Sequence, residues 1–99
     1  MRIIMDEALK AYMNAHGKKD IVVDTVPKAL CGWNYQKVAG RFAVVSDAYT
    51  DDAYDIFETE CGRLILSRAS VQYGDTIRLS LGSTTYQKES VLVDGVRIA

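Results

Sequence analysis

The sequence divides at Gly17. Ahead of it lies a single stripe of helical spacing, and beyond it every apolar run has the length and residue types of a strand. Met5, Leu9, Tyr12 or Met13, and His16 recur every three to four residues, which is one face of a 3.6-residue period. Asp6 stands where an N-cap belongs, and Glu7 adds negative charge that the helix dipole favours. Gly17 stops the helix, with Lys18 and Lys19 near its negative end. The predicted helix has about 11 residues, short enough that it persists only when docked on something else.

After Gly17 the pattern is β. Ile21-Val22-Val23 is β-branched and bounded by Asp20 and Asp24, and Pro27 then breaks the chain. Arg41-Phe42-Ala43-Val44-Val45 is a second strand, followed by a polar loop from Ser46 to Asp52. Tyr54–Glu58 and Arg63–Leu66 form a hairpin around Glu60-Cys61-Gly62, where Gly62 accepts a positive φ. Residues 67–73 read as a helical turn ended by Gly74. Ile77, Leu79 and Leu81 alternate along Thr76–Leu81 and share one face. Thr84-Thr85-Tyr86 and Ser90–Val93 follow, and Asp94-Gly95 signals a turn before Val96-Arg97-Ile98. The expected fold is α+β: the N-terminal helix packed on a β-rich, sandwich-like core of short, mostly antiparallel strands.

Composition decides what such a fold can serve. The 99 residues make one domain, 1–99, and a hydrophobic content of 48% supplies its core without staples. Twelve Lys+Arg against thirteen Asp+Glu leave no basic face for nucleic acid. No apolar run approaches the ~20 residues of a membrane span. The N-terminus turns acidic at Asp6-Glu7 before a signal-peptide core forms, so a cytoplasmic protein with free thiols is expected.

Few residues carry chemistry. Cys31-Gly32-Trp33-Asn34-Tyr35 is the most unusual string, placed in a loop after Pro27. Its glycine lets other groups approach the sulfur, and its aromatics can shield it from water. A thiolate there suits iron, copper(I), zinc or an iron–sulfur cluster, while the plain alternative is a buried thiol beside a core tryptophan. Cys61, in the second hairpin turn, is a second metal ligand if the turns meet, otherwise a structural thiol or half of a disulfide. The lone histidine, His16, fits a helix C-terminus by its charge, the alternative being a ligand or base. Asp47, Asp51, Asp52, Asp55, Glu58 and Glu60 make an acidic segment without the spacing of a calcium loop, and read as a solvated strand edge. No nucleotide-binding glycine loop, CxxC or HExxH occurs. An enzyme would have to use Cys31 as nucleophile with Lys28, Lys37 or Arg41 lowering its pKa, and no enzyme is expected.

The order of these pieces resembles the HesB-like, or A-type iron–sulfur carrier, family over roughly positions 1–93. Met1-Arg2-Ile3-Ile4-Met5-Asp6-Glu7-Ala8 is similar to that family's short apolar strand leading into a helix. Asp20–Asp24 stands at its first long strand, and Cys31-Gly32-Trp33-Asn34-Tyr35 at its glycine–cysteine loop. Phe57–Ser67 resembles its hairpin, and Ala69–Ile77 the stretch that follows. The C-terminal Cys-x-Cys pair of the family is absent, since the chain ends Val96-Arg97-Ile98-Ala99, and Cys61 has no family counterpart. The resemblance implies a metal-binding scaffold or carrier that holds iron or an iron–sulfur cluster through Cys31; with one such ligand per chain, a cluster would also need Cys61, a second protomer or a small thiol. Two protomers would supply four thiolates for a [2Fe–2S] cluster. It implies a homodimer and dealings with iron–sulfur assembly or acceptor proteins, with no nucleic acid or membrane. The alternative is a degenerate member without metal, acting as an interaction or structural domain.

Overall fold

The computed structural model describes residues 2–43, 49, 52–85 and 89–99. Its elements are β1 (Arg2–Met5), α1 (Glu7–His16), β2 (Asp20–Leu30), β3 (Trp33–Phe42), β4 (Tyr54–Glu58), β5 (Arg63–Ser67), β6 (Val71–Leu81) and β7 (Val91–Ile98). All seven strands belong to one sheet in the order β1-β6-β7-β3-β2-β5-β4, curled into a half-barrel. The sheet is mixed, because β1 joins β6 and β2 joins β5 in parallel while the other pairings are antiparallel.

The expected α+β sandwich is therefore corrected. The fold is mostly β, built from one sheet rather than two, and its principal strands are long, with 11 residues each in β2 and β6. Curling lets the concave face bury itself, so no second sheet is required. Ile21, Val23, Phe42, Leu64, Leu66, Ile77, Leu79 and Val91 make that core. The single described helix, of ten residues, adds Leu9 and Met13 to it, one stripe as its spacing predicted. Gly17 caps the helix in the left-handed conformation as expected, whereas Asp6 sits at the N-cap without a side-chain capping bond.

Three punctuation signals misled the sequence reading. Pro27 lies inside β2, opposite Gln36, and breaks nothing. Gly74 and Asp94-Gly95 lie inside β6 and β7, where the ladder skips between Tyr73 and Arg78, so the late hairpin does not form; of the helical turn expected over 67–73 only a tight turn at Arg68–Ser70 remains, the Ser70 N–H donating to the Ser67 carbonyl at 3.1 Å. That skip sets residues 74–77 against Gly95 alone, an irregularity of the kind that glycine often marks inside a strand. The β4–β5 hairpin and the strand at 76–81 stand where expected. Val44, Val45, Asp47, Asp51 and Tyr86, and most of the loop expected over 46–52, lie outside the described residues.

β3 and β7 run side by side where the two halves of the sheet meet. Between β3 and β7 the register holds a single described pair, Gly40↔Val91. A Cβ at position 40 would stand 2.7 Å from the Val91 carbonyl oxygen, so the close approach of the strands requires glycine. No described helix is long and apolar enough to cross a membrane.

Candidate functional site

Cys31 and Gly32 are the two-residue turn between β2 and β3. Their φ values of 50° and 82° are both positive, the requirement of a type I′ turn, whose twist matches that of paired strands. Glycine meets this requirement without strain, and cysteine is the one described non-glycine residue that adopts a positive φ. The expected loop at 31–35 is therefore a hairpin tip, with Leu30↔Trp33, Ala29↔Asn34 and Lys28↔Tyr35 in register behind it.

This hairpin leaves the sheet. β5 accompanies β2 only over Asp20–Val23, and β7 is in ladder register with β3 only at Gly40. Beyond those points residues 24–30 and 33–39 pair with each other alone among the described residues. The result is a two-stranded arm, a form that is marginal in isolation and here is anchored at its base. Trp33 is 77% exposed and Tyr35 48% exposed. Neither the shielded thiol nor the core tryptophan expected from the sequence is found, because Cys31 is exposed as well. Register puts Val26 across from Lys37, on the face that carries Trp33 and Tyr35.

The phase of the ladder is fixed at the base of the arm. The Ala43 N–H donates to the Asp20 carbonyl at 2.9 Å, and the Arg63 N–H donates to the Lys19 carbonyl at 3.0 Å. Even-numbered residues of β2 thus turn their backbone groups to β3, and odd-numbered ones turn theirs to the β5 side. In the arm this leaves Thr25, Pro27 and Ala29 facing outward on one edge, with Asn34, Gln36 and Val38 facing outward on the other. Pro27 has no N–H to present, so the β2 edge lacks its middle donor. No proline interrupts the β3 edge.

The second thiol is elsewhere. Cys61 is half-buried in the β4–β5 turn and packs against the core, its N–H donating to Thr59 Oγ1 at 3.3 Å. That turn lies against Lys19, at the start of β2, where a Cβ on Gly62 would overlap the Lys19 carbonyl. Cys31 lies beyond the far end of β2, roughly 35 Å away at ~3.3 Å per residue. The two thiols of one chain therefore do not fit a common metal or cluster, and no described group of three or more His, Cys, Asp or Glu is placed to hold one. Lys37 and Arg41 lie about 13 and 26 Å up the strand from Trp33, far from the Cys31 sulfur, and the side chain of Lys28 lies outside the described residues.

Several of the remaining candidates have structural partners. The ring of His16 lies 4.2 Å from that of Tyr12, whose hydroxyl donates to Glu89. That bond holds Glu89 below the usual carboxylate range and pushes Tyr12 up. Asp55 accepts from Tyr73 at 2.6 Å and from Arg68 at 3.1 Å, which ties β4 to β6. Burial, with Asp55 adding to it, pushes the Tyr73 hydroxyl up to about 12. Asp55 itself is held down, first by Tyr73. Asp20 is lowered by a paired contact with Arg63, at 2.8 and 3.2 Å. Glu60 pairs with Lys10 at 3.2 Å. The expected solvated acidic edge is in part a set of ties between elements.

Sequence reasoning singled out Trp33 and Tyr35 only as neighbours of a thiol. The signal that identifies them is Cys31-Gly32 read as a two-residue turn, with strand-forming residues on both sides. No family model, curated protein or solved structure matches this chain.

Proposed function

We propose that this chain is a protein-interaction domain that works through the β2–β3 arm. The observation that supports it is Trp33, 77% exposed on a ribbon standing clear of its own sheet. Tryptophan and tyrosine are the residues that most often anchor interfaces. Covering Trp33 and Tyr35 would remove roughly 300 Å² from water, about 7 kcal/mol before the cost of association. Association itself costs ~4–15 kcal/mol, so the aromatics alone do not suffice and the arm's free backbone edge must contribute. A photo-crosslinking phenylalanine analogue at position 33 or 35 should give defined protein adducts on irradiation in the cell of origin. The same group at Arg97, exposed on β7, should give none. Adducts from all three positions alike, or from none, would refute the reading.

The resemblance supports a second reading, an iron or iron–sulfur scaffold with assembly or acceptor proteins as partners. Its favouring observation is the exposure of Cys31 at the arm's tip, where thiols of separate chains can meet. The spacing within a chain requires that no one cluster draws on Cys31 and Cys61 of both protomers. Anaerobic reconstitution should then give bound iron and visible absorption that Cys31→Ser abolishes and Cys61→Ser leaves unchanged. Colourless, iron-free protein would end this reading.

A further inference from the structure

We infer that the open edge of β3 pairs with the same edge of a second copy of this chain, antiparallel and centred on Tyr35. The inference rests on the arm being the interaction surface and names what occupies it.

The two edges of the arm are not equivalent. Pro27 removes the central outward donor of β2 and so blocks strand addition there. On β3 the outward groups belong to even-numbered residues, and Trp33 through Lys37 are all exposed. Asn34 and Gln36 each offer both an N–H and a carbonyl, and no described strand takes them up.

Strand edges of two identical chains can meet about a two-fold axis. An axis through Tyr35 uses only the five exposed residues and leaves half-buried Val38 untouched. Asn34 then stands opposite Gln36 of the second copy, and Gln36 opposite Asn34. Both are hydrogen-bonded positions, giving four backbone bonds across the join. Tyr35 and Trp33 fall at the non-hydrogen-bonded positions, where facing side chains come closest. Tyr35 meets Tyr35, an aromatic pair. Trp33 meets Lys37 of the second copy on each side, an indole face beside an ammonium group.

Every opposed pair is thus complementary, and none sets like charges together. A partner of different sequence would have to reproduce this pattern, whereas a second copy carries it already. The join also turns two marginal ribbons into one four-stranded sheet, past the three strands at which a sheet supports itself. Lying antiparallel, the two tips point away from each other, so the two Cys31 sulfurs stand roughly 26 Å apart. This dimer and a cluster bridged by two Cys31 exclude one another.

The test is the full chain in solution. Sedimentation should give twice the 11.0 kDa chain mass at micromolar concentration. The emission of the chain's single tryptophan should move to shorter wavelength as the dimer forms. Tyr35→Lys sets two ammonium groups on the axis and should weaken the dimer at least tenfold, with the circular dichroism of the monomer unchanged. In a Cys31→Ser, Cys61→Ser background, Tyr35→Cys should form a disulfide-linked dimer under mild oxidation. Gln36→Cys, off the axis, should not. A wild-type chain that stays monomeric overturns the inference, as does a dimer indifferent to Tyr35→Lys and unlinked by Tyr35→Cys. If position 33 crosslinks to another protein while the purified chain is monomeric, the second copy is refuted and the interaction domain stands.

Discussion

Gly40→Ala tests whether the two halves of the sheet are held together by close backbone approach. The added methyl would lie 2.7 Å from the Val91 carbonyl oxygen, 2.9 Å from Val93 Cγ2 and 3.0 Å from Val91 Cβ. An ordinary contact begins near 3.4 Å, so β3 and β7 must separate by several tenths of an ångström at their one described register pair. Overpacking of this kind typically destabilises by about 1–3 kcal/mol. Replacing a strand glycine by alanine returns roughly 0.5–1 kcal/mol of backbone entropy. The net expectation is a loss of about 1–2 kcal/mol, which in a domain this size lowers Tm by roughly 5–15 °C. Gly74→Ala is the control, because nothing lies within 4 Å of a Cβ there. It should leave stability unchanged or raise it by up to about 1 kcal/mol. Thermal melts by circular dichroism, with urea titrations at constant slope, read both variants. A Gly40→Ala protein that melts at or above wild type would refute the reasoning, and so would equal shifts in the two variants.

Two further predictions concern the core and the charged ties. Leu9→Ala removes the fully buried anchor of α1 and should cost about 2–5 kcal/mol by urea denaturation; a loss under 1 kcal/mol would mean that the helix is not docked as described. The raised Tyr73 hydroxyl contributes stability that is complete below pH 10 and is lost as pH rises towards about 12, because burial disfavours the anion and the anion cannot donate to Asp55. Tyr73→Phe should therefore be less stable than wild type at neutral pH and lack that alkaline loss; matching alkaline melting curves would contradict it. On the acid side the signs reverse. Asp20 and Asp55 are both held low, so what they contribute is present above the ordinary carboxylate pKa and is lost as pH falls through their depressed values.

What could be read from the chain depended on how local the signal was. The helix was legible because Leu9 and Met13 repeat at its own period and Gly17 ends it. The β4–β5 hairpin was legible because its strands are short and its turn contains Gly62. The single curled sheet was not legible, because the parallel pairings of β1 with β6 and β2 with β5 join segments far apart in sequence. The arm was hidden by a residue read for its usual role. Proline ends a strand when its missing N–H belongs to the ladder, and Pro27 sits where it does not. Gly74 and Gly95 similarly mark a skip in pairing that no one-strand pattern can distinguish from a turn. Cys31 and Cys61 could share a ligand only if their turns met, and the length of β2 separates them.

Pro27 also constrains how the chain can fold wrongly. β2 could in principle roll about its own axis by one residue, presenting odd-numbered groups to β3. That alternative would put the imino nitrogen of Pro27 into the ladder and forfeit a bond at the arm's centre. It would also swing Ile21 and Val23 off the concave face. A hairpin this long and this polar at its end has few side-chain contacts to specify its register. One imino acid supplies a directional check, so the ribbon closes in a single phase with its β3 edge turned outward.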